Sequence, residues 1–559
     1  MIGVRVDNSW MTSGQGHPKR WAILAVLVVS LLVVVLDNTV LNIALPTIQR
    51  DLSASQGALV WAIDSYILVF ASLLFTWGVL GDRIGRKKVL IIGLIVFGLA
   101  SAICAFSVNV GMLIGFRAVM GIGGAAVLPT TLAIITVVFP PHERGKAIGA
   151  WAGAVGAAVA LGPVLGGILL QHPQWSNWLT GNDWGSVFLI NVPIGIIVLI
   201  GLFLFVPETK DETGRKGIDV PGTVLVTLGL IGVVFALIEG QHYGWVIGTT
   251  EFKAGSLTWP ADTISIVLVA GIVGIAALVA LVLVEKARLR AGKIVIIDLR
   301  LFKIRSFGAG NIVALVVSLG EFGLLFTIPL FLQAVRGYSA METGVILVAL
   351  AAGAFVASGI GAGLSQRLGP VRVLQIGMAL EVIGIIGIGV SMSTTVTGWG
   401  LAPWLFIYGA GVGFATAQLT GVILAEIPVS ESGSASAVQS TSRQVGAAIG
   451  TAILGTTLLI GLGHYTTTQL TDRGVPAATA TQMADAMQAS AGQAVTGMGS
   501  MPDGQVMVEG ASEGFVDATK TVAWIAALFV FLGLLTSFLL PRNAARVESE
   551  GYEPPKDKE

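Results

Sequence analysis

Charged side chains are scarce in this sequence, and a few stand inside long apolar runs from which water is excluded. Asp37 lies near the far end of the run 21–46, Asp64 inside 58–80, Arg117 inside 112–138 and Glu321 midway along 307–332. An ionised group near the centre of a bilayer costs about 2.5–3.5 kcal/mol on insertion scales, so it usually faces a partner or a water-filled hollow. The chemistry open to these residue types is proton binding. A carboxyl group stripped of water holds a proton more readily, and a neighbouring Arg opposes that. Glu321 and Asp37 rank first as proton carriers, then Arg117 as the group that tunes the carboxylate, then Asp64. The competing reading is a buried ion pair that fixes helix register. Glu381 also stands mid-run, in 370–392, whereas Glu239, Glu285 and Glu426 stand at run ends, where water can solvate them.

Other chemistries find less support. All five histidines (His17, His142, His172, His242, His464) fall between apolar runs, which argues against a clustered zinc site and a buried histidine relay. No metal or cofactor is therefore expected. The single cysteine, Cys104, cannot form an internal disulfide. No GxxxxGK[ST] loop is present, so nucleotide-driven pumping has no basis. The formal net charge is +0, which gives no basic surface for nucleic acid.

The elements that position these residues must be membrane spans. Of 559 residues 54% are hydrophobic and 11% charged, with 73 Gly, against about 25% charged in soluble domains. Mean hydropathy is +0.85. A helix crossing hydrocarbon needs about 20 mostly apolar residues. Fourteen runs qualify: 21–46, 58–80, 89–107, 112–138, 147–170, 185–206, 218–239, 263–284, 307–332, 343–364, 370–392, 400–425, 437–461 and 517–540. They are continuous and far longer than the alternating stretches of a membrane barrel, so the expectation is an all-α polytopic membrane protein. The first run is too long for a signal-peptide core and carries Asp37, so a retained helix is expected. With the N-terminus inside, 25 of the 32 Lys and Arg fall on inside segments, five outside and two, Arg117 and Arg443, within spans. That asymmetry favours an even number of spans in the cytoplasmic membrane, with both termini cytoplasmic. Trp21, Trp61, Trp77, Trp184, Trp404 and Trp524 stand at span ends, as an aromatic belt would place them.

The chain also repeats itself. Leu80-Gly-Asp-Arg83-Ile-Gly85-Arg-Lys-Lys88-Val-Leu90 recurs as Leu364-Ser-Gln-Arg367-Leu-Gly369-Pro-Val-Arg372-Val-Leu374, each time on an inside loop between two spans. Two related halves joined by an extra pair of helices follow, with a binding site between the halves near midplane. The expected organisation is a tail at 1–20, a six-helix bundle at 21–206, two further spans with a basic linker at 207–306, a second bundle at 307–540 and a charged tail at 541–559. The most basic stretch, 285–305, is expected on the cytoplasmic surface against anionic lipids. The outside segment 462–516 is read as a loosely ordered loop, with a short helix within 478–495; a lid is the alternative.

Several ordered motifs resemble those of the major facilitator superfamily, and specifically its 14-span drug/proton antiporter family. Gly78-Val-Leu-Gly-Asp82-Arg83-Ile-Gly85-Arg86-Lys87-Lys88 is similar to the family's loop between spans two and three, and Leu36-Asp37-Asn-Thr39-Val-Leu-Asn42-Ile-Ala-Leu-Pro46 to its span-one motif. Arg117-Ala-Val-Met-Gly121-Ile-Gly123-Gly124-Ala125 resembles the span-four motif, and Gly162-Pro163-Val-Leu-Gly166-Gly167 the span-five antiporter motif. Leu332-Gln333, Gly337-Tyr338 and Arg443-Gln444 with Gly446 match second-half patterns of the same group. One departure stands out: Trp184-Gly185-Ser186 replaces the usual Trp-Arg-Trp before Phe188 to Pro193.

The resemblance implies two six-helix bundles plus two extra central helices. It implies that spans one, four and nine line the cavity, and that span eleven, which carries Glu381, is outer scaffold. Phe322, Phe326, Tyr408 and Gln418 would then line an adaptable pocket, or serve as plain packing. The loop of Gly78, Asp82, Arg83, Gly85 and Arg86 would be a latch holding one access state, with Asp82 meeting a helix N-terminus or a cation of the other half. Against that, its basic residues also satisfy the positive-inside rule. Gly162, Pro163, Gly166 and Gly167 would form a conformational hinge, or a close-packed face of small residues.

The function implied is proton-coupled export of lipophilic or cationic drugs by alternating access, by a monomer with no enzymatic activity and with protons and membrane lipids as its other partners. The alternatives are a dedicated exporter of one metabolite or lipid on the same scaffold and, more remotely, a non-transporting membrane sensor.

Overall fold

The computed structural model describes residues 16–541 except 210–216, 218, 255–256, 429–430 and 502. Within helices a few side chains lie outside the described set, those of Pro163 and Phe326 among them. Most of both terminal tails lies outside it too. Thirteen helices are long and apolar enough to cross a membrane. A further helix of 31 residues, Pro141–Gln171, covers the expected span 147–170, so each of the fourteen runs is helical.

The first bundle is built from α1 (Arg20–Leu52), α2 (Gln56–Ile84), α3 (Arg86–Ala105), the broken span α4 (Val110–Gly124) and α5 (Val127–Val138), α6 (Pro141–Gln171) and α7 (Asn191–Phe205). The extra pair is α8 (Val220–Tyr243) and α9 (Ile266–Arg290), joined by a hairpin of β1 (Phe252–Ala254) and β2 (Leu257–Trp259) that the sequence reading did not anticipate. The second bundle is α10 (Arg305–Ala334), α11 (Ala340–Leu368), α12 (Pro370–Ser391), α13 (Gly398–Leu424), α14 (Ser432–Asp472) and, after the short α15 (Ala477–Ala489), α16 (Gly504–Ser537).

Local chemistry sets many helix starts. Ser55, Asn109, Asp219 and Ser265 each accept a hydrogen bond from a first-turn backbone N–H, which satisfies donors that a helix N-terminus leaves open. Ser339 and Glu342 form a reciprocal capping box at α11. The sequence repeat has a structural counterpart. Gly85 and Gly369 take φ of +116° and +85°, and each alone ends one helix and begins the next. A side chain rarely tolerates that backbone region, so glycine recurs there.

The halves meet where α2 and α5 pack on α14 and where α6 packs on α11 and α13. The additional helix α8 rests on α2 and α14, while α9 packs on α8 and is the least buried of the thirteen spans.

Two expectations are corrected. The segment 462–516 is not a loose loop: α14 runs on to Asp472, α16 begins at Gly504, and α15 lies beside α14. Buried Met483, Met487, Val495, Met498 and Met507 hold this helical cap together, because burial of apolar side chains offsets the entropy of ordering the chain. Trp184 is not part of an interfacial belt; it is fully buried and packs edge-on against Phe188. Trp21 is exposed at the start of α1, whereas Trp524 is exposed well inside α16.

Candidate functional site

Asp37 and Glu321 each stand near the middle of the first helix of their half, and each is paired with an arginine from another helix. The two settings differ. Asp37 pairs with Arg117, and both side chains are fully buried. The second Asp37 oxygen accepts from Asn191 Nδ2 at 2.9 Å, and Asn191 also donates to Ser101 at 3.0 Å. Arg117 donates to the Ala62 carbonyl at 3.1 Å and to Asn38 at 3.4 Å, and its guanidinium lies 4.4 Å from the Tyr66 ring centroid. Five helices, α1, α2, α3, α4 and α7, are tied through this one pair. Both carboxylate oxygens are satisfied.

Glu321 is less fully engaged. Its Oε2 accepts from Arg443 Nη2 at 3.2 Å, while its Oε1, buried, has no hydrogen-bond partner among the described residues. Arg443, on α14, keeps 21% of its side chain exposed and also donates to Thr416 of α13 at 3.3 Å. Arg443 stood in the sequence as a charge within a span, yet nothing local connected it to Glu321. Glu381, set aside as scaffold, belongs to the same cluster. It is fully buried, neither carboxylate oxygen has a partner among the described residues, and it lies within electrostatic reach of Glu321 and Arg443. Its mid-span carboxyl was the available signal.

The expected pocket-lining residues divide. Tyr408 is fully buried, and its hydroxyl donates to the Glu321 carbonyl at 3.2 Å, which ties α13 to α10. Gln418 is buried, and among the described residues its amide nitrogen Nε2 has no partner. Phe322 is 39% exposed, and the side chain of Phe326 lies outside the described residues.

At one end of α2, Asp82 bridges the halves. Its carboxylate accepts from the Gly433 N–H at 3.0 Å and the Ser434 N–H at 2.7 Å, at the N-terminus of α14, and from Arg86 at 2.7 and 3.0 Å. A helix N-terminus favours an anion, and charged hydrogen bonds are the stronger kind. Close backbone approach makes this possible. A Cβ on Gly78 would fall 2.4 Å from that of Ala437, and one on Gly433 would fall 2.1 Å from Asp82 Oδ1. Arg83 lines a small hollow beside Asp219 and Ile296, where the extra pair begins. In α6, Gly162 and Gly166 pack on Thr39 and Val40 of α1, Gly167 faces Met341 of α11, and the helix runs unbroken through Pro163.

Asp64 lies apart from all of these. Rather than lining a path with Asp37, it meets Glu239 and His242 of α8 at the end of α2 remote from Asp82, with the ligand-type atoms of all three within 4.8 Å of one another. The grouping runs against the expectation that the histidines take part in no metal cluster, and Glu239, which its place at a run end would let water solvate, is only 2% exposed.

Two helical bundles with charged residues paired in their interiors, and a polar bridge between them at one end, define a polytopic membrane transporter. The chain belongs to the major facilitator superfamily, whose family profile matches residues 27–451. It is 33% identical over 463 residues to a probable actinorhodin transporter of Streptomyces coelicolor, covering 82% of this chain and 75% of that protein. It is 30% identical to the multidrug efflux pump LfrA of Mycolicibacterium smegmatis, over 92% of this chain and 94% of that protein. It is 31% identical to the methyl viologen resistance protein SmvA of Salmonella typhimurium, over 89% and 93%. Among solved structures, the fold is similar to the proton:xylose symporter XylE, with TM-score 0.55, 14% identity and coverage of 95% of this chain and 98% of that one. A bacterial homologue of the lysosomal transporter Spinster gives TM-score 0.53 at 20% identity, over 93% and 98%.

Proposed function

We propose that the protein is a proton-coupled exporter of lipophilic or cationic compounds across the cytoplasmic membrane, working by alternating access as a monomer with both termini in the cytoplasm. The observation that carries this reading is the Glu321–Arg443 pair, mid-span, with one carboxylate oxygen unpartnered and the arginine partly exposed. When the carrier opens outward, Glu321 takes a proton and its hold on Arg443 weakens. When it opens inward, the proton leaves, and a cationic or lipophilic compound competes for the vacated charge. Each proton entering down the potential supplies about 2.3 kcal/mol per 100 mV. Glu381 is a second carboxyl through which the same proton can pass.

In this scheme Asp37 and Arg117 work differently. Both Asp37 oxygens and all three guanidinium nitrogens of Arg117 have partners, so protonating Asp37 would forfeit the interactions that join five helices. The pair is a structural pivot of the first bundle. Asp82 on the N-terminus of α14 closes the cytoplasmic side, which makes this an inward-closed arrangement.

The relatives' names support this reading: LfrA is a multidrug efflux pump, and the probable actinorhodin transporter is named for one compound. The second kind of name favours the alternative of a dedicated exporter on the same machinery. Proton-driven efflux of ethidium-like dyes from inverted vesicles tests both readings. Wild type is expected to transport and Glu321→Gln to lose proton dependence. Unchanged proton-dependent transport in Glu321→Gln would overturn the assignment, and a response to one compound alone would favour the dedicated exporter.

A further inference from the structure

We propose that Asp64, Glu239 and His242 form a binding site for a divalent transition-metal ion, of which zinc fits best, that clamps the additional helix α8 to α2. The ligand-type atoms of the three side chains lie within 4.8 Å of one another. Tetrahedral zinc with bonds of about 2.0–2.2 Å sets its ligands roughly 3.4 Å apart, a contraction within reach of small rotamer changes. The site has an unmet demand. Glu239 is 2% exposed, and among the described residues neither of its oxygens accepts a hydrogen bond. His242 Nδ1 lies 3.5 Å from Glu239 Oε2, too long for a good hydrogen bond.

Glu239 is buried and Asp64 half-buried, and two carboxylates so close repel each other unless a cation joins them. One aromatic wall lowers the local dielectric: Phe235 and Phe252 flank Trp61, whose indole N–H donates to Tyr243 at 2.8 Å. The His242 side chain is 48% exposed and offers an ion a way in. One imidazole with two carboxylates is a donor set suited to zinc and its neighbours rather than to magnesium or calcium, which prefer oxygen alone. Three protein ligands leave a fourth position for water. The hairpin of β1 and β2 packs its Phe252 over this end of α8, so a bound ion would fasten hairpin, α8 and α2 into one unit.

The test uses the full chain in lipid nanodiscs with any polyhistidine tag removed. Wild type is expected to bind one equivalent of Zn²⁺ with a saturable rise in melting midpoint, to give a visible d–d band with Co²⁺, and to ignore Mg²⁺. His242→Ala and Glu239→Gln are each expected to weaken Zn²⁺ binding at least tenfold. Because His242 is half exposed, H242A keeps the fold and carries the test by itself, with its metal-free melting midpoint as the control. No saturable response in wild type, an equal response to Mg²⁺, or undiminished zinc affinity in H242A would overturn the proposal. The dye-efflux assay with Glu321→Gln is independent of this outcome, so failure here leaves the transport reading intact.

Discussion

Asp82 of α2 and Ser434 of α14 are 352 positions apart in sequence and are joined by a 2.7 Å hydrogen bond, from the Ser434 backbone N–H to the Asp82 carboxylate. The bond closes the two halves at one membrane face, and Arg86 holds the carboxylate from the other side at 2.7 Å. Charge is essential to both contacts.

Asp82→Asn keeps the shape and removes the charge. Charged hydrogen bonds contribute about 1.5–3 kcal/mol, so the closed arrangement is expected to lose about tenfold to a hundredfold in population. Spin labels at the exposed positions Lys88 and Arg367 report this as a longer distance distribution. An unchanged distribution would show that Asp82 is not the latch.

Gly433→Ala should reproduce the opening without touching any charge. The added methyl would sit 2.1 Å from Asp82 Oδ1, so the carboxylate must leave the helix N-terminus. The same spin-label pair reads the effect; an alanine accommodated with no change would count against it.

The Asp37–Arg117 pair is expected to govern stability more than proton coupling. Arg117→Met leaves a buried carboxylate uncompensated, at a cost of about 3–5 kcal/mol. Asp37→Leu combined with Arg117→Met should recover most of the melting temperature, because neither charge then remains. A double variant no more stable than Arg117→Met would contradict this account.

Glu381 is fully buried with both oxygens unpartnered, a burden of about 1–3 kcal/mol. Glu381→Met should therefore raise the melting temperature while slowing proton-driven efflux. If stability rises and efflux is untouched, Glu381 takes no part in coupling.

The helical cap should behave as folded structure. Met487 is fully buried beneath it, so Met487→Asp is expected to loosen α15 and speed tryptic cleavage at Arg473, which pairs with Glu513 at 2.5 Å. Equal cleavage rates in wild type and variant would mean that the cap is not held by this packing.

The sequence by itself determined the fourteen helices, the repeat at Gly85 and Gly369, and the class of protein. These depend on local quantities: the length of an apolar run against the thickness of a bilayer, and a backbone angle that glycine alone adopts easily. It also presented the charged residues Asp37, Arg117, Glu321 and Arg443 as exceptions within apolar runs. Only the tertiary structure decided how they pair. Which face of a helix turns inward depends on how it is rotated against its neighbours, which the run of apolar residues along the chain does not fix. So Glu321 found Arg443, Glu381 proved to be part of the same cluster rather than scaffold, and Asp64 turned towards Glu239 and His242. The segment 462–516 became a folded cap for a similar reason: its scattered methionines acquire a core only when α14, α15 and α16 come together.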